Sequence, residues 1–166
     1  MYHKRLRAYR KIAYEIYDDS TTESPKHNVI YQHDNYHKDY EDDLATAKHS
    51  IVILSPFMSP AKAKAFVNVS RQALARGVQT SMITTTPSEL PSKLIASASD
   101  AIRYLQALGI HVNMQQRLHI NAAIIDEDIV WYSSMNLMAK DKTDAHLMRL
   151  YNKNLAHEIL EMHLKE

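Results

Sequence analysis

The chain has 166 residues, 45% of them hydrophobic, the size and apolar content of one ordinary domain with a buried core. Its 20 basic and 19 acidic side chains nearly cancel, so no overall field draws nucleic acid or an anionic membrane, and any such attraction must come from local patches. The absence of cysteine excludes disulfides, thiolate zinc sites and cysteine nucleophiles and suits a cytoplasmic location, while two glycines, Gly77 and Gly109, are too few for a Walker loop or a GxGxxG fingerprint.

Leu6, Tyr9, Ile12, Ala13 and Ile16 recur at helical spacing among Lys4, Arg5, Arg7, Arg10 and Lys11, which predicts a basic amphipathic helix over residues 2–17. Its basic face is either solvated, packed in a dimer, or a contact for a phosphate backbone. The turn-forming stretch DDSTTESPKHN follows as the one plausible hinge, giving a unit of residues 1–27 before a domain of residues 28–166. No apolar run approaches eighteen residues and the start lacks a signal-peptide core, so a soluble protein with no membrane partner is expected. A short strand near Val29–Tyr31 precedes a helix over 34–48 and the buried-strand candidate SIVILSP. The alternation repeats: a helix from Pro60 to Arg76 ending at Gly77, the strand VQTSMITT, a helix from Ser97 to Leu108 ending at Gly109, and the strand IHVNM. The pattern predicts an α/β fold, a mixed β-sheet flanked by helices on both faces.

The last third differs. LHINAAIID and DIVWYSS are separated only by a tight acidic turn and should pair as an antiparallel hairpin, with HLMRLY as a further strand and a closing helix from Asn154 to Leu164. Residues two apart in a strand share a face, so Arg117, His119 and Asn121 are expected to point one way, and Ser134 and Asn136 to share a face at the end of the partner strand. An imidazole can attack phosphorus or protonate a leaving oxygen, and amides and hydroxyls can bind the non-bridging oxygens, so the hairpin suits a phosphodiester.

These residues resemble the phospholipase D superfamily, whose signature is His-x-Lys-x4-Asp followed by six residues and Gly-Ser-x-Asn. His119, Asp126, Ser134 and Asn136 match at that spacing, with Asn121 where the family has lysine and Ser133 where it has glycine. AKHSIVILSPF, ARGVQTSMITT, AIRYLQALGIHV and IDEDIVWYSSMNLM extend the likeness over residues 28–162, and resemble the phospholipase D-like nuclease domains found alone or fused to bacterial helicases and restriction systems. The resemblance implies a metal-independent and cofactor-independent reaction on DNA. In it one histidine forms a phosphohistidine, and a second protonates the leaving group and then activates water. A chain with one motif would supply the second histidine from a homodimer, His119 meeting its counterpart across a twofold axis. A helicase or restriction subunit is a further partner it suggests. On this reading Asp126 supports the site, Ser134, Asn136 and Arg117 bind phosphate, and Asp144 steers the imidazole unless it merely caps its strand.

Asn121 offers a hydrogen bond where lysine would offer a charge, and losing one preorganised donor costs roughly a hundred- to a thousandfold in rate. Impaired turnover is therefore expected unless Arg117 supplies the charge, and the alternative is a catalytically degenerate module for nucleic-acid binding or dimerisation. Phospholipid hydrolysis is a weaker third option. His33 and His37 have a spacing that admits two zinc ligands but no third, and His157 and His163 in LAHEILEMH face apart, so no metal site is expected. Trp131 and Tyr132 are expected to fill the core.

Overall fold

The run Ser50–Leu54 (β3) alternates between two cores: Ile51 and Ile53 are buried on one face, Val52 and Leu54 on the other. A strand buried on both faces needs strands beside it and layers above and below it, and the rest of the chain supplies them. The computed structural model describes residues 15–16, 28–32, 35–138 and 146–164. In chain order they form β1 (Glu15–Ile16), β2 (Val29–Gln32), α1 (His37–Thr46), β3, α2 (Pro60–Val69), α3 (Arg71–Ala75), β4 (Gln79–Thr85), α4 (Ser92–Ala107), β5 (His111–Gln115), β6 (Ala122–Ile125), β7 (Ile129–Ser133), β8 (His146–Tyr151) and α5 (Lys153–Leu164).

Among the described residues the strands make one mixed sheet in the order β1-β2-β8-β7-β6-β3-β4-β5. β3, β4 and β5 run parallel through helical crossovers, whereas β6, β7 and β8 join antiparallel, with β6 closing against β3 and β8 against β2. Leu44, Phe66, Ala73 and Leu105 bring α1, α2, α3 and α4 to one face, and Ala156 and Ile159 bring α5 to the other. The α/β architecture with helices on both faces is as expected, with most of the helical cover on one side. No helix among the described residues is long and apolar enough to cross a membrane.

Both glycines end helices as expected. Gly77 (φ 81°) and Gly109 (φ 80°) take the left-handed conformation, and the next residue's N–H reaches back to a carbonyl in the last helical turn, Val78 to Ala73 and Ile110 to Leu105, each at 3.1 Å. Four expectations need correction. Of the helix proposed over 2–17, only Glu15–Ile16 is described, and it is a strand parallel to β2. The helix from Pro60 to Arg76 is divided at Ser70, after a Val-Asn-Val run of poor helix formers. The next helix starts at Ser92, directly after Pro91, rather than at Ser97. Lastly, β6 begins at Ala122 and not at Leu118.

A buried polar cluster ties the densely covered face together. Asp43 of α1 accepts from Arg149 of β8 through Nε (2.7 Å) and Nη2 (2.9 Å), and from the indole N–H of Trp131 on β7 (2.8 Å). One turn earlier Asp39 accepts from the hydroxyl of Tyr31 on β2 (2.8 Å). All five residues are buried. Burial pulls the pKa of Arg149 down, but the hydrogen bonds to Asp43 and its charge outweigh that and leave it raised. The cluster fixes α1 over β2, β8 and β7, whose far ends lead into the candidate site.

Candidate active site at the strand ends

The parallel strands β3, β4 and β5 point their C-terminal ends toward one edge of the molecule, and open α/β sheets bind ligands beyond such ends. At that edge β3 stops at Ser55-Pro56. A proline has no N–H to continue a ladder, so the neighbouring chain has nothing to pair with before Ala122. Residues 118–121 are accordingly irregular and Gln116–Arg117 form a turn. This overturns the expectation that Arg117, His119 and Asn121 share one face of an extended strand. Arg117 has φ 53° and is exposed, with its backbone N–H on the carboxylate of Glu89 at 3.1 Å.

Freed from the sheet, His119 is exposed. Asn121 is the residue that rejoins it: its carbonyl accepts from the N–H of Ser133 at 2.9 Å, while its side-chain Oδ1 is buried and without a partner. A buried carbonyl oxygen left unpaired costs about 1–3 kcal/mol.

The opposite wall is the end of β7. Ser133 is buried, and its Oγ accepts from the N–H of Met135 (3.0 Å), which folds the chain into a tight turn. Ser134 then continues the pairing with β8, donating its N–H to the carbonyl of His146 and accepting the N–H of His146 on its Oγ, both at 3.1 Å. Because that oxygen is used as an acceptor, the hydroxyl proton stays available to donate to an anion. Asn136 is oriented by Ser55, whose one hydroxyl proton is shared between Phe57 O (2.9 Å) and Asn136 Oδ1 (3.4 Å). That arrangement leaves the NH2 end of Asn136 available as a donor. His119, Asn121, Ser134 and Asn136 are thus all carried at one end of the sheet.

Asp126 is not. It lies at the other end of β6, in the three-residue hairpin loop 126–128, where Asp126 (φ 54°) and Glu127 (φ 56°) are the central residues of a turn closed by Asp128 N–H to Ile125 O at 3.2 Å. Its carboxylate accepts from the backbone N–H groups of Lys48 (3.0 Å), His49 (2.6 Å) and Ser50 (3.1 Å), and its own N–H donates to Ser50 O (2.8 Å). It welds the start of β3 to the hairpin turn, at the opposite end of β6 from His119. Asp144 and His33 lie outside the described residues. Trp131 fills the core as expected, whereas Tyr132 is 40% exposed.

Sequence reasoning missed Ser55, Glu89 and His146. Ser55 had a readable signal, a small polar residue and a proline closing a wholly apolar strand. His146 had none, because its place beside Ser134 depends on the pairing of β7 with β8.

Comparison with known proteins adds the family. Residues 40–163 match the model described as cardiolipin synthase, PLD-like domain. No curated protein sequence matches. Among solved structures, NucT from Helicobacter pylori is similar with a TM-score of 0.64 and 16% identity, covering 82% of this chain and 92% of that one. The phospholipase D family member Nuc from Salmonella typhimurium gives 0.63 and 19%, covering 81% and 91%. TrmBL2, an archaeal chromatin protein described as having a novel mode of DNA binding, gives 0.57 and 17%, covering 96% of this chain and 56% of that one. With residues 40–163 matched by the family model and its fold shared with these structures, the chain belongs to the family of phospholipase D-like domains.

Proposed function

We propose that the domain is a phospholipase D-type phosphodiesterase acting on DNA, with His119 as the nucleophile and turnover weakened by Asn121. The observation that carries this reading is the exposed His119 at the strand ends, beside a buried unpartnered carboxamide oxygen and two oriented polar side chains, Ser134 and Asn136. In the reaction the imidazole attacks phosphorus, the P–O bond to the leaving group breaks, and a phosphohistidine forms. The leaving oxygen takes its proton from a second imidazole, for which His119 of a second copy is the proposed source, and that ring then deprotonates the water that hydrolyses the intermediate. Ser134 and Asn136 donate to the non-bridging oxygens, and Arg117, exposed on the turn before His119, is the nearest cation in sequence to replace the charge that lysine would bring. The homodimer, an acid-steering role for Asp144 and association with a helicase or restriction subunit belong to the same proposal.

The test is cleavage of single- and double-stranded DNA in the presence of a chelator. His119→Ala is expected to remove turnover, and Asn121→Lys to raise it by roughly a hundredfold or more, the scale of one preorganised donor. Turnover that survives His119→Ala refutes the assignment. The second reading, a DNA-binding module without catalysis, draws on the likeness to a chromatin protein that binds DNA. It is favoured if the natural chain binds DNA without cutting it and only Asn121→Lys cleaves.

A further inference from the structure

The open end of the β7–β8 ladder carries an imidazole that the phosphodiester reading leaves unused. Tyr132 lies opposite Met148 and Ser133 opposite Leu147, so the next pair is Ser134 with His146. Two hydrogen bonds seal it, Ser134 N–H to His146 O and His146 N–H to Ser134 Oγ, both at 3.1 Å. Opposite residues of an antiparallel pair share a face of the sheet, with Cβ atoms roughly 5 Å apart. Leu147 belongs to the core beneath α1 to α4 and Met148 packs against the core beneath α5, so alternation puts His146, and Ser134 with it, on the face of α5. Both residues are exposed. An anion that accepts the Ser134 hydroxyl proton would have the His146 ring as its neighbour.

Such an anion meets little fixed positive charge. Asn121 is neutral where the family has lysine, and Arg149, also on β8, is buried in its pair with Asp43. The side chains around His146 are uncharged: Gln32 stands opposite it on β2, Tyr132 and Met148 continue its face, and α5 meets that face through Leu155, Ala156, Ile159 and Leu160. The described loops at this end bring Glu89, Arg117 and His119, and Asp144 precedes His146 by two positions, outside the described residues. Histidine is the side chain whose charge ordinarily changes between about pH 5 and about pH 8, and its protonated ring donates from both nitrogens. A hydrogen bond from a charged donor to a phosphate oxygen is about twice as strong as a neutral one.

We infer that His146 is a phosphate-binding residue of this site: its protonated ring joins the Ser134 hydroxyl on a phosphate oxygen and supplies charge that Asn121 lacks, so the hold on a phosphodiester tightens in acid. The inference rests on the phosphodiester reading given above and adds a residue to its site. It is tested by fluorescence anisotropy with a labelled DNA oligonucleotide over a salt series, for the unaltered protein, His146→Gln and His146→Lys. At about pH 6, His146→Gln is expected to bind roughly tenfold more weakly than the unaltered protein, the scale of one hydrogen bond to a charged group. Its plot of log affinity against log salt should be shallower by about 1, the signature of one lost phosphate contact. At about pH 8, where an ordinary histidine is neutral, the two proteins should bind alike, and His146→Lys should keep the tighter binding at both values. The other histidines, His119 included, are common to all three proteins and cancel. An acid dependence and salt slope unchanged in His146→Gln overturn the inference, as does a loss of equal size at both pH values, which is the mark of a structural role, or a failure of His146→Lys to restore binding. In each of these cases cleavage that depends on His119 leaves the phosphodiester reading standing. An unaltered protein that neither binds nor cleaves the oligonucleotide at either pH overturns both.

Discussion

At its C-terminal end β6 runs into Asp126, whose carboxylate takes up three backbone N–H groups and leaves nothing unpaired. At its N-terminal end it begins after Asn121, whose side-chain oxygen is buried with no partner, and after His119, which stands in solvent. Both ends carry residues of one sequence motif, four strand residues apart, yet one is closed and the other left open. The difference teaches how to divide such a motif. Asp126, with its carboxylate engaged, holds the sheet, and the incomplete end is where the proposed ligand site lies.

The largest effect expected on the closed side belongs to the cluster beneath the sheet. Asp43→Ala strands the buried guanidinium of Arg149 and the indole N–H of Trp131, and removing one partner of a buried pair costs about 3–5 kcal/mol. Urea unfolding would measure it. Replacing both ends of the pair together, Asp43→Leu with Arg149→Met, should recover most of that loss, since an apolar pair needs no compensation for desolvated charge. A double variant as unstable as the single one would mean that Trp131 and Tyr31, and not the ion pair, fix α1 over the strands.

Asp126→Ala should cost less, about 2 kcal/mol, because the released N–H groups of Lys48 and His49 lie near solvent and can rehydrate. This variant bears most directly on the contrast between the two ends of β6. Its cleavage or binding of nucleic acid, measured below the unfolding temperature, should stay within about twofold of the unaltered protein, in contrast to His119→Ala. A large loss of function with an unchanged midpoint would dissolve the distinction and show that Asp126 supports the reaction from the far end of β6.

What could be read ahead of the structure follows the same division. The parallel strands and their helices were legible because burial on two faces forces uninterrupted apolar runs such as Ile51–Leu54, and because Gly77 and Gly109 punctuate the helix ends. The hairpin was legible from its tight acidic turn. The conformation of residues 117–121 was not, since it depends on a neighbouring strand losing its donor at Pro56, more than sixty residues earlier. Asp39 and Asp43 were also misleading. In a run as charged as HKDYEDD they look like a solvated helix face, and only the arrival of Tyr31, Trp131 and Arg149, the last 106 positions away, explains their burial.

The smallest expected effect concerns the thinly covered face, where α5 reaches the edge strand β5 at the open end of the sheet. Gln115 donates from Nε2 to the carbonyl of His163, and His163 Nδ1 lies 3.3 Å from Gln115 Oε1. Burial lowers the pKa of His163 below its ordinary value near 6.5. A histidine whose folded pKa is depressed binds more protons when unfolded, so its contribution is intact above about pH 6.5 and is lost as pH falls from there toward the folded value. His163 is half exposed, and solvent screening keeps the effect small. Between about pH 7.5 and about pH 5.5 the urea midpoint of the unaltered protein should drop further than that of His163→Gln, which cannot take up the proton. The contact of His157, on the same helix, with Glu127 of the hairpin turn (3.0 Å) is common to both proteins and cancels in the comparison. Parallel pH profiles would show that α5 holds β5 through the Gln115 amide and the backbone alone, leaving the open end of the sheet insensitive to acid.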